Sequence, residues 1–292
     1  MIPLLQSLRP KQWIKNLLVF AALLFSLNIF HSDLALRAVY AFLLFCAASS
    51  SIYLVNDILD VARDRLHPVK SLRPIALGRV RMGTAWVAAL ILAATALVAG
   101  YILEPRFSII AAVYILLQIV YSKYLKHFVI LDVMVIALGF VLRAMAGAYA
   151  INVPISQWLL VCTFLLALFL GFGKRRHELL LMEDGAANHR KVLGDYSPYF
   201  LDQMIAVVTA STLIVYILYT TSSDVTARFG TTNLIFTIPI VLYGIFRYLF
   251  LIHKKDRGGD PTTTLLDDTP LIAALVAWAI AVLVILYHAS VT

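Results

Sequence analysis

The chain has 292 residues, of which 62% are hydrophobic and only 14% are charged, and its formal net charge is +8. An apolar share so far above the roughly 45–50% of soluble globular domains excludes an ordinary soluble fold. The sequence is that of a polytopic membrane protein. Its basic balance requires no nucleic-acid partner, because anionic lipid headgroups and phosphorylated substrates attract the same charge.

The first sixteen residues mix apolar and basic side chains, and no small-residue cleavage site follows the first apolar run. This pattern predicts a retained helix over residues 1–16 that lies in the membrane interface. We interpret residues 1–292 as a single transmembrane domain.

Nine apolar runs can cross the bilayer when their flanking residues are included, since a crossing needs about 20 residues. The runs are Leu17–Phe30, Ala38–Leu59, Ala85–Leu103, Phe107–Tyr121, Val133–Ile151, Trp158–Phe172, Met204–Tyr219, Leu234–Ile252 and Leu271–Tyr287. They predict an all-α bundle of nine transmembrane helices.

Basic residues are distributed unequally between alternate loops. With the N-terminus inside, 19 of the 24 Lys and Arg residues fall on inner segments. Cytoplasmic loops retain positive charge. The asymmetry predicts a multi-pass protein of the cell (inner) membrane, with a cytoplasmic N-terminus and the C-terminus on the opposite side.

Oxygen-bearing side chains crowd the inner end of the second apolar run, in the segment NDILDVARD. If the helix continues, they share one stripe, because spacings of three, four and seven residues return to the same helical face. The members of this stripe are Tyr53, Asn56, Asp57, Asp60 and Asp64.

Two interpretations of this stripe are open. Stacked carboxylates at a helix C-terminus need compensating cations, and Arg63 and Arg65 supply them if the role is structural. In the functional interpretation, Asn56 and the three aspartates hold Mg²⁺, which prefers oxygen ligands and binds substrate phosphates. Lys70 and Arg73 follow directly and could stabilise a departing diphosphate.

Two further basic clusters, YSKYLK at Tyr121–Lys126 and GKRRHE at Gly173–Glu178, also lie at inner ends of apolar runs. Together with the acidic segment they predict a phosphate-lined cavity. Arg143 lies within the fifth run, eleven residues after Asp132, and an intramembrane arginine is functional by default. It either reaches substrate or forms an internal ion pair, and Gly139 and Gly147 permit close helix packing nearby.

The pattern NDxxDxxxD, followed by RPIALG, resembles the first aspartate-rich motif of the UbiA superfamily of intramembrane prenyltransferases. The chain is most similar to the decaprenyl-phosphate phosphoribosyltransferase branch, through SLRPKQWIKN, YSKYLK, LDVMVIALGFVLRAMAGA, GKRRHEL and LGDYSP. One departure from the aromatic prenyltransferases concerns their second DxxxD motif, since Asp195 is followed four residues later by Tyr199. The resemblance implies nine helices around a cytosol-facing cavity.

The resemblance also implies a reaction: Mg²⁺-dependent transfer of 5-phosphoribose from 5-phosphoribosyl 1-diphosphate to a polyprenyl phosphate, as a step toward an arabinan precursor. Asn56 and Asp60 would hold Mg²⁺ on the diphosphate, with Asp57 or Asp64 in support, and Tyr53 would order that face. The enzyme would be a glycosyltransferase of the phosphoribosyltransferase type. An oligomer is compatible with the sequence.

By the same resemblance, Lys70 and Arg73 would receive the charge of the diphosphate. The implied catalytic residues are Asp57, Asp60, Lys70 and Arg73. The implied substrate-binding residues are Lys11, Lys15, Tyr53, Asp64, Lys70, Arg73, Tyr121, Lys123, Arg143, Lys174, Arg175, Arg176 and Asp195. Two alternatives stay open at this point: an aromatic prenyltransferase that uses a prenyl diphosphate donor, and a non-catalytic lipid-phosphate carrier or scaffold.

Overall fold

The computed structural model describes residues 3–26, 31–66, 69–183, 191–254, 263–264 and 267–291. The principal α-helices in these ranges are α1 Pro3–Ser7, α2 Ala21–Phe25, α3 Ser32–Leu59, α4 Val61–Leu66, α5 Met82–Leu103, α6 Pro105–Lys123, α7 Leu131–Ala150, α8 Gln157–Glu183, α9 Pro198–Thr221, α10 Ser223–Phe229, α11 Ile238–Lys254 and α12 Thr269–Val291. The 3₁₀ helices are Pro10–Phe20, Lys70–Leu72, Leu125–His127, Lys191–Asp195 and Asn233–Thr237. The predicted all-α class is confirmed.

Eight helices within the described ranges are long and apolar enough to cross a membrane. They are Ser32–Leu59, Met82–Leu103, Pro105–Lys123, Leu131–Ala150, Gln157–Leu180, Pro198–Thr221, Asn233–Lys254 and Thr269–His288. Each overlaps one of the predicted spans from the second to the ninth.

The first predicted span, Leu17–Phe30, has a different structure. The 3₁₀ helix Pro10–Phe20 leads directly into α2, and residues 27–30 lie outside the described ranges. The predicted interfacial helix over residues 1–16 is likewise divided between α1 and the start of the 3₁₀ helix. The division falls at Arg9, which has a left-handed backbone (φ 55°, ψ 60°). The following Pro10 disfavours continuation of the right-handed helix through Arg9.

The chain forms two compact units, residues 1–155 and 156–292. In the first unit, α3 and α7 are the central helices, and more than half of the apolar window of each is buried. An aromatic cluster joins α3 to α6: the Phe45 ring is 4.8 Å from that of Tyr114 and 6.4 Å from that of Phe107. This packing fixes α3, which carries the acidic segment at its end.

Arg37, near the start of α3, joins two other helices of the first unit. Its guanidinium donates to the carbonyl of Leu103 at the end of α5 and to that of Ala150 at the end of α7, both at 2.9 Å. A cation at two helix C-termini is favourable, because those carbonyls lack partners within their helices and carry partial negative charge.

A close approach brings the 3₁₀ helix Pro10–Phe20 against α7. A Cβ atom on Gly147 would overlap the carbonyl of Val19. Val19 is fully buried. Only glycine therefore allows this backbone contact, as the sequence predicted for a packing role of Gly147.

In the second unit, α8 packs along α9, and α11 packs along α12. A buried polar network connects them: Trp278 donates to the Tyr216 hydroxyl at 2.8 Å, and that hydroxyl lies 2.7 Å from Thr237 Oγ1. Such bonds hold membrane helices together because lipid cannot satisfy the polar groups.

Candidate active site

The acidic segment lies where α3 ends and α4 begins. Asp60 forms the C-cap of α3 (φ −97°, ψ 6°), and its N–H still donates to the Asn56 carbonyl at 2.9 Å. The Asp64 N–H in turn donates to the Asp60 carbonyl at 2.8 Å. Helical hydrogen bonding thus continues through the junction, and this brings Asp57 and Asp64 to the same side.

Asp57 and Asp64 converge on a single guanidinium. Arg73 Nη1 lies 3.1 Å from Asp57 Oδ1 and 2.6 Å from Asp64 Oδ2. Both carboxylates are buried, with 2% and 3% of each residue exposed. A buried carboxylate requires such a partner, because an uncompensated charge away from water costs several kcal/mol.

Arg9 provides a second cation for Asp57. Its Nη2 donates to Asp57 Oδ1, the same oxygen that accepts from Arg73. The Arg9 guanidinium also lies over the Tyr53 ring, 5.0 Å from its centroid. Tyr53 thus makes a cation–π contact with Arg9, while its role in ordering this face for substrate stays a prediction.

Asp60 and Asn56 face other partners. Lys126 Nζ lies 3.3 Å from Asp60 Oδ1, and Arg63 approaches the same oxygen at 3.7 Å. Asn56 Oδ1 accepts a hydrogen bond of 2.5 Å from the Ser122 hydroxyl. The four predicted metal ligands thus divide into a pair joined by Arg73 and two residues directed toward α6 and the 3₁₀ turn after it.

The donor set fits a divalent cation in its chemistry. Two carboxylate oxygens already converge on one cationic group, the Arg73 guanidinium, and all four predicted ligands supply oxygen, which Mg²⁺ prefers. Across the part of the chain that is described, no three His, Cys, Asp or Glu side chains come close enough to form a metal site. Holding Mg²⁺ would therefore require these side chains to exchange their present partners.

Side chains of α3 anchor the segment that carries Arg9. Trp13 Nε1 donates to Ser50 Oγ at 3.0 Å, and Ser50 Oγ donates to the Leu8 carbonyl at 3.1 Å. Farther along, Asn16 Nδ2 donates to Ser49 Oγ at 3.1 Å. The run of serines on α3 thereby fixes the backbone on both sides of Arg9.

Arg143 is buried and fully engaged inside the first unit. Its three guanidinium nitrogens donate to Asn16 Oδ1 at 2.8 Å, the Gly139 carbonyl at 2.7 Å and the Tyr114 hydroxyl at 2.9 Å. The guanidinium carbon also lies 5.5 Å from the centroid of the Phe45 ring. These contacts favour a structural role over contact with substrate, and the acceptors are neutral groups in place of the internal ion pair that was the other alternative.

The other predicted residues of the first unit occupy its basic segments. Lys70 begins the short 3₁₀ helix that ends just before Arg73, and its carbonyl accepts from the Arg73 N–H at 3.0 Å. Lys11 and Lys123 are exposed, Lys15 is half-buried, and Tyr121 is buried near the end of α6. Their proposed contacts with substrate stay predictions.

In the second unit, the basic cluster in the C-terminal half of α8 is paired with acids. Arg175, only 2% exposed, donates to Glu178 at 2.5 Å, and Lys174 lies 3.9 Å from the same carboxylate. Arg176 donates to Asp202 of α9 at 2.6 Å. Asp195 is exposed at the end of the 3₁₀ helix Lys191–Asp195. Their substrate-binding roles also stay predictions.

Sequence reasoning missed three residues that contact the acidic segment: Arg9, Ser122 and Lys126. In the sequence, Arg9 is one of the 19 inner-face charges, and Ser122 and Lys126 lie in YSKYLK beside the predicted substrate-binding residues Tyr121 and Lys123. A signal for Arg9 exists in the Arg-Pro pair, since proline restricts the preceding backbone. No such sequence feature distinguishes Lys126 from Lys123, three residues earlier.

Comparison with known proteins decides the family. A model of the UbiA prenyltransferase family matches residues 17–267. The chain belongs to the UbiA prenyltransferase family. The predicted resemblance is confirmed, and with it the multi-pass membrane character.

Two relatives of this UbiA chain carry the name decaprenyl-phosphate phosphoribosyltransferase. The protein from Mycolicibacterium smegmatis is 36% identical, with 94% of this chain and 89% of the relative covered. The protein from Corynebacterium glutamicum is 34% identical, with 97% and 86% covered. Similarity to this branch therefore extends over nearly the whole chain.

The fold matches that of a UbiA homologue from Archaeoglobus fulgidus, which was solved with GPP and Mg²⁺ bound. The TM-score is 0.71 at 19% sequence identity, and 98% of this chain and 99% of that one are covered. At this identity the comparison supports the fold alone.

Proposed function

We propose that this protein transfers 5-phosphoribose from 5-phosphoribosyl 1-diphosphate to a polyprenyl phosphate of decaprenyl type and releases diphosphate. The observation that carries the proposal is the 36% identity, over 94% of the chain, to a protein named decaprenyl-phosphate phosphoribosyltransferase. The product would be a polyprenyl-phosphoryl 5-phosphoribose, a precursor suited to arabinan synthesis.

The soluble donor would bind at the acidic segment. Asn56, Asp57, Asp60 and Asp64 would hold Mg²⁺, and the buried convergence of Asp57 and Asp64 on one cation supports this assignment. A magnesium ion bound there would neutralise charge on the diphosphate as the leaving group departs. The guanidinium of Arg73 lies at these carboxylates and is suited to bidentate contact with phosphate oxygens.

The bond changes need little proton transfer. An oxygen of the lipid phosphate attacks the anomeric carbon, the bond from that carbon to the diphosphate oxygen breaks, and the electron pair leaves with the diphosphate. Because the acceptor is already an anion, no strong general base is required. Arg73 and Lys126 bring positive charge to the acidic segment, and together with Lys70 they would stabilise the departing diphosphate.

The remaining basic residues would divide between the ribose 5-phosphate and the lipid phosphate. Lys11, Lys15, Lys123 and the segment 174–176 are the candidates, together with Tyr121 and Asp195 as polar contacts. Arg143 is the least suited of the predicted set, since its three nitrogens already donate within the protein.

We place the protein in the cell (inner) membrane with its N-terminus in the cytoplasm and its C-terminus on the opposite side. The acidic segment and both basic clusters would then face the cytoplasm, where a soluble sugar diphosphate is available. Reporter fusions at the two termini that gave the same side would contradict this orientation.

The direct test is reconstitution of the full chain in detergent with both substrates and Mg²⁺. We expect release of diphosphate together with a lipid-linked phosphoribose, and loss of both products when the metal is chelated. A parallel reaction supplies a prenyl diphosphate and an aromatic acceptor instead. Prenylation of the ring without any use of the sugar diphosphate would overturn the proposal in favour of an aromatic prenyltransferase.

A further inference from the structure

The acidic segment is met by cations from three separate parts of the first unit. Arg9 comes from the N-terminal segment, Arg73 from the loop after α4, and Lys126 from the turn after α6. Arg9 is held by contacts on both its backbone and its side chain that do not involve a carboxylate. The backbone and side-chain contacts of Arg9 indicate its role in the site.

The backbone around Arg9 is fixed independently of its ion pair. Arg9 is left-handed (φ 55°, ψ 60°) directly before Pro10. A non-glycine residue in this region is uncommon and persists when its surroundings determine it. Here the Leu8 carbonyl accepts from Ser50, and Trp13 donates to the same hydroxyl. Arg9 would therefore stay in place if Asp57 bound a different cation.

The side chain of Arg9 is also held in place by an aromatic ring. Its guanidinium lies 5.0 Å from the centroid of the Tyr53 ring, while 28% of the side chain remains exposed. A stacked arginine keeps its N–H donors in the plane of the guanidinium and can offer them to a phosphate as readily as to a carboxylate. Arg9 is thus oriented toward Asp57 and accessible to a soluble anion.

The two members of this ion pair match the two halves of a metal diphosphate. Asp57 oxygens suit Mg²⁺, and the Arg9 guanidinium suits diphosphate oxygens. If Asp57 exchanges Arg9 for Mg²⁺ while Arg9 exchanges Asp57 for the diphosphate, each of the two side chains keeps an opposite charge beside it. The cost of leaving an uncompensated buried charge is then avoided.

We propose that Arg9 is a charge-exchange residue of this site: it neutralises Asp57 and passes to the diphosphate when Asp57 binds the metal. The inference rests on the proposed function, because it assumes a metal diphosphate as the ligand. Its consequence is that Mg²⁺ and diphosphate each bind poorly alone and strengthen one another's binding.

The test measures binding to the full chain in detergent by calorimetry, with Mg²⁺ alone and with inorganic diphosphate alone. In Arg9→Gln, Asp57 loses a competing cation, so the affinity for Mg²⁺ should rise. The affinity for diphosphate should fall, because a donor is lost. A change of about 5- to 30-fold in each direction corresponds to one or two kcal/mol.

Arg63→Gln is the matched control. Arg63 also approaches an aspartate of the segment, at 3.7 Å, but its side chain is 74% exposed, and exposed ion pairs contribute little. We expect both affinities to stay as in the parent chain. Arg9→Lys provides a second variant that retains the charge; it should keep the Mg²⁺ affinity and weaken diphosphate binding.

Opposite changes in the two affinities would support the exchange. A fall in both together with a lower melting temperature would make Arg9 merely structural, and no change in either would also overturn the proposal. Neither probe contains ribose or lipid, so the outcome does not depend on which substrates are finally turned over. Failure of phosphoribosyl transfer in the reconstituted reaction would be recognised separately.

Discussion

Arg143 on α7 donates to the side-chain oxygen of Asn16 at 2.8 Å and so ties the N-terminal 3₁₀ helix to the centre of the first unit. Asn16 Nδ2 in turn donates to Ser49 Oγ of α3. Three segments distant in sequence therefore meet in one buried polar network. Because Arg9 lies on the segment held in this way, the network also positions the acidic site.

Replacing Arg143 by Met should destabilise the protein. Asn16 Oδ1 and the Tyr114 hydroxyl would lose their donor, and each buried polar group left unsatisfied costs about 1–3 kcal/mol. We expect a lower melting temperature in detergent, whereas Arg106→Met, at an exposed arginine, should leave it unchanged. A normal melting temperature combined with weaker binding of one substrate would instead make Arg143 a substrate ligand.

Replacing Gly147 by Ala should separate the 3₁₀ helix from α7. The added methyl group would overlap the Val19 carbonyl, and overpacking typically costs about 1–3 kcal/mol. Gly244→Ala is the matched control, because a Cβ there meets nothing within 4 Å and alanine is the better helix former. Thermal unfolding of both variants checks the prediction, and equal melting temperatures would contradict it.

Replacing Arg37 by Lys should destabilise the first unit although the charge is kept. One guanidinium reaches the carbonyls of both Leu103 and Ala150, whereas an ammonium lacks the planar fork that allows this. We expect a loss of about 1.5–3 kcal/mol, the range for a hydrogen bond to a charged group. The free energy of unfolding measures it, and a value equal to that of the parent chain would show that one bond suffices.

Replacing Asp57 by Asn should abolish most activity while leaving the fold intact. The amide keeps the shape of the carboxylate but lacks the charge that a metal diphosphate needs, and losing one preorganised electrostatic group costs about 10²–10³ in rate. Initial rates of diphosphate release provide the measurement. Asp224→Asn, at an exposed aspartate of α10, should keep the parent rate. Full activity of Asp57→Asn would remove this residue from the site.

The membrane helices could be predicted because a crossing demands an apolar run of fixed length, whatever the run packs against. The structure of the N-terminal segment could not be predicted, since its hydrophobicity is equally compatible with an α-helix and with the 3₁₀ helix Pro10–Phe20. The Arg-Pro pair predicts a break in the helix at Arg9, but proline favours an extended backbone in the residue before it and does not predict the left-handed one found there.

The acidic segment was predictable for a similar reason: its spacings lie within one helix and its continuation. Its partners were not, because they depend on the register between helices. Arg9 and Asp57 are 48 positions apart, and Lys126 and Asp60 are 66 apart. A single sequence contains no measure of which residues on neighbouring helices lie at the same depth.

The bonds of Arg37 also bear on the order in which the chain can assemble. Its two acceptors lie 66 and 113 positions later in the sequence. When α3 emerges during synthesis, the carbonyls that Arg37 will bind do not yet exist, and the second appears only after α7 is complete. This end of the first unit therefore closes last, and a chain interrupted before Ala150 would leave Arg37 with only one of its two acceptors.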